Sequence, residues 1–585
     1  MKGELGHFRC QYRQLDVRIS MFHTQGSNCA RLSTGLCDHK PSGRALFNYL
    51  CHLVGDAIVK PIPNSEPQPD NIHVIDIWPS RLGSNEGESS VKVPTQLRYT
   101  PQGIEWGFQI PHSVERNYWF KLGLEENKES VNWQKSAEEL TTGFLNEIYK
   151  HIIYTLEQKI GAVVLRAVPI EFCLTVPAIW SEAAKEKTLK ACQKAGLKSS
   201  EIMLISEPIP AAISVPHELD FTTLKTGDWF VVCDAGGGTV DLISYKIKSL
   251  KPIVQVEEVT SGTGGLCGSV FLTRRFNDFI TRMLSGEVGW DEEVLSETSD
   301  RFDTVIKQQY FPMKDGDEGY PVPVPGLPDN KGLGIRRSKF MIRKEDMRNI
   351  FDPVIEKIIW FVQDQIRLSR GEAKTVLLVG GFGQNLYLKQ RLRESLPTVQ
   401  VLQPPNAWIA IVCGAVMMGL SRANSSLHNV KVVSRRARKH YGITLNLEFD
   451  PRKHDEIKKY WCPFHKRYQV EVLQWFVRKG DAIQENKAKN IKFHERFPVN
   501  QGKPKFYDLT VLADSESSVT PIHICDNVKT LTTLKIDLSP LSESQWKKTI
   551  KKGADGVYYY VLVGNIEATF FSALTTYKRG AYMLQ

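Results

Sequence analysis

The stretch from Trp229 to Tyr245 constrains the chain more than any other. An apolar run, Trp229-Phe230-Val231-Val232-Cys233, leads into Asp234-Ala235. Three consecutive glycines, Gly236, Gly237 and Gly238, turn the chain, and Thr239-Val240-Asp241 opens a β-branched exit of period two. This pattern implies strand, tight loop, strand. Glycines carry no Cβ, so their N–H groups can crowd against an anion, and the Thr239 hydroxyl adds a donor. The terminal phosphates of a nucleotide suit such a loop. Asp234 and Asp241 would repel a bare phosphate, but they make sense if hydrated Mg²⁺, which takes few carboxylates, lies between acid and phosphate. No Lys-Ser/Thr follows the glycines and no helix opens there, so the loop is not a P-loop. A glycine turn that joins two strands without any ligand is the alternative reading.

Length then sets the scale. A chain of 585 residues has room for two to four domains. Its formal charge of +10 is modest over that length and does not call for nucleic acid. The 11 cysteines form no CxxC pair, and Met1-Lys2-Gly3-Glu4-Leu5-Gly6 leads into polar sequence, not an apolar secretory core. Both features point to a reducing, cytoplasmic setting, with a nuclear one as the variant. The longest apolar segment, Trp408 to Leu420, is too short to cross a bilayer, so a soluble protein without a membrane partner is expected.

Asp234-Ala235-Gly236-Gly237-Gly238-Thr239-Val240-Asp241 resembles the second phosphate loop of the actin, sugar-kinase and heat shock protein 70 superfamily. Downstream features narrow the resemblance to a divergent member of the heat shock protein 70 family. Glu207-Pro208 is similar to the family's pair beside the metal and the attacking water. Phe120-Lys121-Leu122 resembles the segment whose lysine reaches the phosphates, although Lys121 also reads as a surface lysine. Thr263-Gly264-Gly265-Leu266-Cys267-Gly268 resembles the turn over the phosphates, with Cys267 in place of a usual glycine. Gly380-Gly381 resembles the adenosine-binding turn. The resemblance runs from about Ile72 to Leu420 and implies an α/β, actin-like (ribonuclease H-like) two-lobed ATPase domain over 71–425. A β-rich C-terminal domain over 434–585 would follow, and residues 1–70 remain poorly defined.

Several local expectations accompany it. Ser136-x-x-Glu139 is a capping box for a helix with Leu140, Phe144, Ile148, Ile152 and Leu156 on one face. Ser181 and Asn385 cap two further helices. Tyr320 to Pro328 reads as proline-rich loop. Cysteines and histidines before Asp70 lack the paired spacing of a zinc site. Ser434 to His440 is a basic run read as a domain junction. Lys307 is a candidate neighbour of the base.

The resemblance implies ATP or ADP with Mg²⁺ as cofactors. Gly236, Gly237, Gly238 and Thr239 would hold phosphates, together with Gly265 and Gly268, while Gly380 and Gly381 back the adenosine. Asp234 and Asp241 would hold Mg²⁺ through water; Lys121 and Glu207 would position the attacking water. Client polypeptides and co-chaperones are the implied partners. A non-catalytic scaffold or nucleotide sensor is the alternative, and a sugar kinase a third reading. The family's first phosphate loop, an Asp-x-Gly-Thr hairpin, is not found before Ile72; Leu53-Val54-Gly55-Asp56 has the wrong order. The sequence therefore predicts weak nucleotide binding, little hydrolysis and a first-lobe sheet with an unpaired edge.

Overall fold

β-Branched runs too short to cover both of their own faces must pair with one another, and among the described residues of the first of two compact units the longest of them build two main sheets. A computed structural model describes residues 9–10, 45–50, 56–59 and 72–579, the last span interrupted at 82, 91, 112–113, 126–132, 134, 168–169, 199–201, 219–223, 251–253, 313–318, 424–429, 485–486, 572 and 574. The chain divides between Val433 and Ser434. Expectations placed on the prolines from Pro61 to Pro69, and on most of the early cysteines and histidines, lie outside the described residues.

The first sheet contains β1 (Ala45–Leu50), β2 (Asp56–Val59), β3 (Ile72–Ile75), β4 (Ile170–Val176) and β5 (Ile202–Ser206), in the order β5-β4-β1-β2-β3. β4 runs parallel to both β1 and β5, whereas β1–β2 and β2–β3 are antiparallel. This corrects the expectation of a missing opening hairpin and an exposed edge, because β1 and β2 are that hairpin and β1 covers β4. The apolar pattern Ala-Leu-Phe-Asn-Tyr-Leu suffices to pair, although the phosphate-loop residues are absent from Cys51 to Gly55.

Helix α1 (Ala137–Ile160) starts at its capping box: Ser136 Oγ accepts from Glu139 N, and the Glu139 carboxylate accepts from Ser136 N. Its buried face carries Leu140, Phe144, Ile148, Ile152 and Leu156, as the four-residue spacing requires. α2 (Glu182–Lys194) is capped by Ser181, whose Oγ accepts from Ala184 N. α3 (Pro208–Glu218) follows β5 directly, with proline at the first helical position where no N–H is needed.

The second sheet is built on β6 (Trp229–Ala235), β7 (Val240–Ser249), β8 (Val254–Glu258) and the short β9 (Thr263–Gly265). α4 (Val270–Leu284), α5 (Glu292–Arg301) and α6 (Lys344–Leu368) intervene before β10 (Ala373–Val379), α7 (Leu386–Ser395), β11 (Gln400–Leu402) and α8 (Ala410–Ala423). The order within this unit is β11-β10-β6-β7-β8, and β9 pairs with the start of β7. Phe276 of α4 stacks on Phe302 at 4.0 Å, and Phe302 meets Phe351 of α6 edge-on at 6.1 Å, which joins α4 to α6. Tyr320–Pro323 is a strand, not loop; it sits at the edge of a three-stranded sheet, the one position where proline costs no ladder bond.

α3 and α8 cross between the halves. α3 leaves the first sheet and packs on β6 and β7, while α8 leaves the second and packs on β1 and β4. They meet at Gly414, where a Cβ would lie 1.9 Å from Pro210 O.

The second unit, residues 434–585 with the strand Arg9–Cys10, is a pair of antiparallel sheets. One is led by Arg467–Val477 and Phe506–Asp514, the other by Lys489–Pro498 and Tyr558–Phe570, and both contribute to a core with Val477, Val511, Phe493 and Leu562. The short helix Glu543–Thr549 seats Trp546 against Tyr560 at 4.9 Å. No helix among the described residues is long and apolar enough to cross a membrane.

Candidate functional site

β6 and β7 are paired so that Asp234 lies directly opposite Asp241 and Ala235 opposite Val240. The glycines close this hairpin, and their carbonyls are spoken for. Ser269 N donates to Gly236 O (3.1 Å), Val270 N to Gly237 O (2.8 Å) and Gly268 N to Gly238 O (3.3 Å). The start of α4 thus turns the loop's oxygens away from the cleft. Among the described residues the N–H groups of Gly237 and Gly238 donate to nothing, as a phosphate cradle requires.

Asp234 and Asp241 are buried. Asp241 Oδ1 accepts from Ile179 N at 3.2 Å, and the Thr239 hydroxyl also donates to this carboxyl. Asp234 Oδ1 and Asp241 Oδ2 are buried without a hydrogen-bond partner among the described residues. Burial raises both carboxyls above their ordinary range; Glu207 and Asp241 push Asp234 further, whereas Thr239 and the Ile179 amide restrain Asp241. Two orphaned carboxyl oxygens held against their own charge are a donor set for a hard divalent cation, and they fit hydrated Mg²⁺.

Lys121 is not a surface lysine. It is buried in the short 3₁₀ helix Phe120–Leu124, with Nζ 3.1 Å from Glu207 Oε1 and 5.1 Å from the centre of the Trp180 ring. Burial lifts Glu207 to about 7, with Lys121 as the main opposing influence and Asp241 adding to the rise. Glu207 N is fixed by Val176 O at 2.9 Å, so its place is set by the parallel β4–β5 pair.

Lys92, which the sequence presents as part of a short strand, lies within the electrostatic influence of the same acids. Burial pushes its ammonium down to about 8, against the pull of Asp234 and Glu207. The cluster is therefore three carboxyls facing two lysines.

β10 runs parallel to β6 with Val379 beside Asp234, which delivers Gly380 to the hairpin. Gly380 has φ +83°, and a Cβ there would lie 2.4 Å from Asp234 Oδ1 and 2.5 Å from Ala235 O. Only glycine meets both demands. Gly381 precedes the turn Phe382–Gln384, and Asn385 caps α7 through Leu388 N while its Nδ2 donates to Lys307 O (2.9 Å). Lys307 itself pairs with Asp303 and with Thr273 Oγ1. The other two glycines are required by packing: a Cβ on Gly265 would meet the Phe361 ring at 2.6 Å, and one on Gly268 would meet Gly237 O at 2.3 Å. Cys267 is buried and its thiol is pushed up to about 12, which holds it in the neutral, less nucleophilic form.

Other contacts also join the two halves. Arg116 reaches Asp300 on α5 at 3.1 Å, and the Arg274 guanidinium lies 4.6 Å from the Trp119 ring.

Two α/β halves joined by crossing helices, with a glycine hairpin and an acid pair at the junction, define a protein of the actin-like ATPase fold. The chain belongs to the heat shock protein 70 family: the family model described as Hsp70 protein matches residues 109–419. A second model, described only as a domain of unknown function (DUF8568), matches residues 435–553. The chain is 22% identical to heat shock 70 kDa protein 12B of Homo sapiens over 71% of this chain and 73% of that one. It is 23% identical to heat shock 70 kDa protein 12A of Mus musculus over 71% and 74%. A chaperone protein HscA homolog of Acinetobacter baylyi is 31% identical over 115 residues, 20% of this chain and 16% of that one.

Proposed function

We propose that this chain binds ATP with Mg²⁺ between its two lobes and hydrolyses it slowly, as a chaperone-type protein whose nucleotide state governs a partner-binding role of the C-terminal unit. The observation that carries this is the pair of orphaned oxygens, Asp234 Oδ1 and Asp241 Oδ2, beside the undonated amides of Gly237 and Gly238. An anion and a divalent cation together satisfy both sets, and neither alone does. When bound, Mg²⁺ would neutralise charge on the phosphates, with Asp234 and Asp241 holding its waters.

Phosphoryl transfer of this kind depends on positioning and charge, not on covalent chemistry. Glu207, titrating near 7, is suited to take a proton from water at neutral pH. Lys121 keeps that carboxyl from rising further and supplies positive charge where the phosphate would lie; Lys92 supplies more. Slow turnover is inferred from Cys51 to Gly55, which carry neither the Asp nor the Thr of an Asp-x-Gly-Thr motif. Each such donor to developing charge contributes roughly 3–4 kcal/mol of barrier lowering. The same residues support the second reading, a nucleotide sensor without turnover.

Calorimetric titration of the full chain with ATP, in Mg²⁺ and in a chelator, tests the proposal. Binding that tightens with Mg²⁺, followed by slow phosphate release, is expected. Binding without any release selects the sensor. No binding in either condition refutes both.

A further inference from the structure

A cavity of about 710 Å³ lies within the first unit, and it contains none of the glycines, acids or lysines assigned above to nucleotide. The volume is that of a small-molecule site. Its walls come from three places: Trp119 in the segment ahead of Lys121, Cys267 in the glycine turn, and the facing surfaces of α4 and α6.

Three features say what it would take. The first is charge: Arg274, Arg275 and Lys357 line it against a single carboxylate, Asp278. Arg275 is anchored to the α6 backbone through Ile350 O (3.1 Å) and Asn349 O (2.8 Å), so the positive wall is held in place. The second is flat apolar surface. The Arg274 guanidinium lies over the Trp119 ring at 4.6 Å and over the Phe271 ring at 5.2 Å, so the wall pairs a cation with two aromatic rings and leaves their other faces to a ligand. The third is a wanting acceptor: Asn277 Oδ1 is buried and has no hydrogen-bond partner among the described residues. A buried amide oxygen left this way costs free energy that a ligand N–H or O–H would recover.

The backbone adds a fourth feature. Trp119 has φ 60° and ψ 11°, in the left-handed region that a bulky residue rarely enters. Strain of this kind gathers at ligand clamps and switches. It sits two residues from Lys121, whose partner is Glu207.

We propose that this cavity is a second ligand site, specific for a small planar aromatic anion that carries an N–H or O–H donor, and that its occupant is coupled to the nucleotide cleft through Trp119 and Lys121. The anionic group lies against Arg274 and Lys357, the ring against Trp119 or Phe271, and the donor reaches Asn277 Oδ1 once that amide turns toward the cavity. The coupling half rests on the nucleotide reading; the binding half does not.

The probe is 1-anilinonaphthalene-8-sulfonate, which has two aromatic systems, one sulfonate and one N–H. Its fluorescence is titrated on the full chain, first without nucleotide. Arg274→Glu is expected to weaken the cavity phase at least tenfold and Asn277→Ala about threefold, with far-ultraviolet dichroism unchanged. Lys357→Glu serves if Arg274→Glu does not fold. Equal probe affinity in wild type and in the folded variants overturns the site. Titration is then repeated at rising Mg·ATP. Coupling predicts a shift in probe affinity that levels off once nucleotide saturates, since linkage between two sites has a finite limit. Displacement that grows without limit would mean that the cavity is part of the nucleotide cleft and overturns the proposal; no shift at saturating ATP overturns the coupling. A chain that binds the probe but no ATP keeps the site while refuting the nucleotide reading.

Discussion

Lys121→Met removes the cation from the buried pair and leaves Glu207 with its burial and its acidic neighbours. The cost should depend on pH in a definite way. In the folded wild type Glu207 titrates near 7 against an ordinary 4.5. A folded-state value above the unfolded one means that the native state holds a proton the unfolded state has released. Stability is therefore lost as pH rises from about 4.5 to about 7, then levels off once the native carboxyl ionises beside Lys121. Without Lys121 that carboxyl keeps its proton to higher pH, so the loss continues above 7. The difference between variant and wild type should be small near pH 5.5 and should grow by about 1.4 kcal/mol per pH unit above 7. Near pH 8.5 it reaches roughly 2 kcal/mol, below the roughly 3–5 kcal/mol of an uncompensated buried charge. Asp234 and Asp241 share the titration, so the slope belongs to the cluster. Urea denaturation of the full chain at several pH values, following the transition that the substitution displaces, measures it. A difference that is the same at pH 5.5 and 8.5 would refute the reasoning, because the pair would then contribute by packing alone.

Asp234→Asn keeps shape and removes charge that burial already opposes, so the fold should be nearly unaffected; calorimetry in Mg²⁺ and in chelator should show ATP affinity that no longer responds to the metal. Gly380→Ala combines a left-handed backbone, roughly 1–2 kcal/mol, with a carbon 2.4 Å from Asp234 Oδ1, and should lower both thermal stability and Mg²⁺-dependent binding. Arg116→Ala opens one of the cleft bridges, and stopped-flow release of a fluorescent ADP analogue should quicken several-fold; an unchanged rate would mean that the Arg116–Asp300 pair is merely superficial.

The parts of the structure legible in the sequence are those whose geometry is local. A glycine triplet between two acids specifies its own hairpin, and Ser136, Ser181 and Asn385 cap helices by contacts three residues away. What escaped depends on distant chain. Lys92 is one lysine between two valines, and nothing within its neighbourhood says that Asp234 and Glu207 lie nearby. The β1–β2 hairpin is illegible in the sequence because only a modest apolar alternation marks it, and β4 supplies the rest of the pairing. Pro321 and Pro323 argue for loop until the neighbouring strand Lys339–Ile342 shows that they need only an edge.

The crossing of α3 and α8 carries a mechanical consequence. At Gly414 backbone meets backbone, with no side chain between to deform and absorb a displacement. Such a contact behaves as a pivot: the helices can rotate about it, but they cannot be pressed closer. Glu207 is the residue just before α3, and α8 rests on the sheet that contains the opening hairpin. A small rotation at this pivot would sweep Glu207 past Asp234 without stretching either sheet. The same lever, run in reverse, would let whatever settles between the acids set the angle of the whole arm.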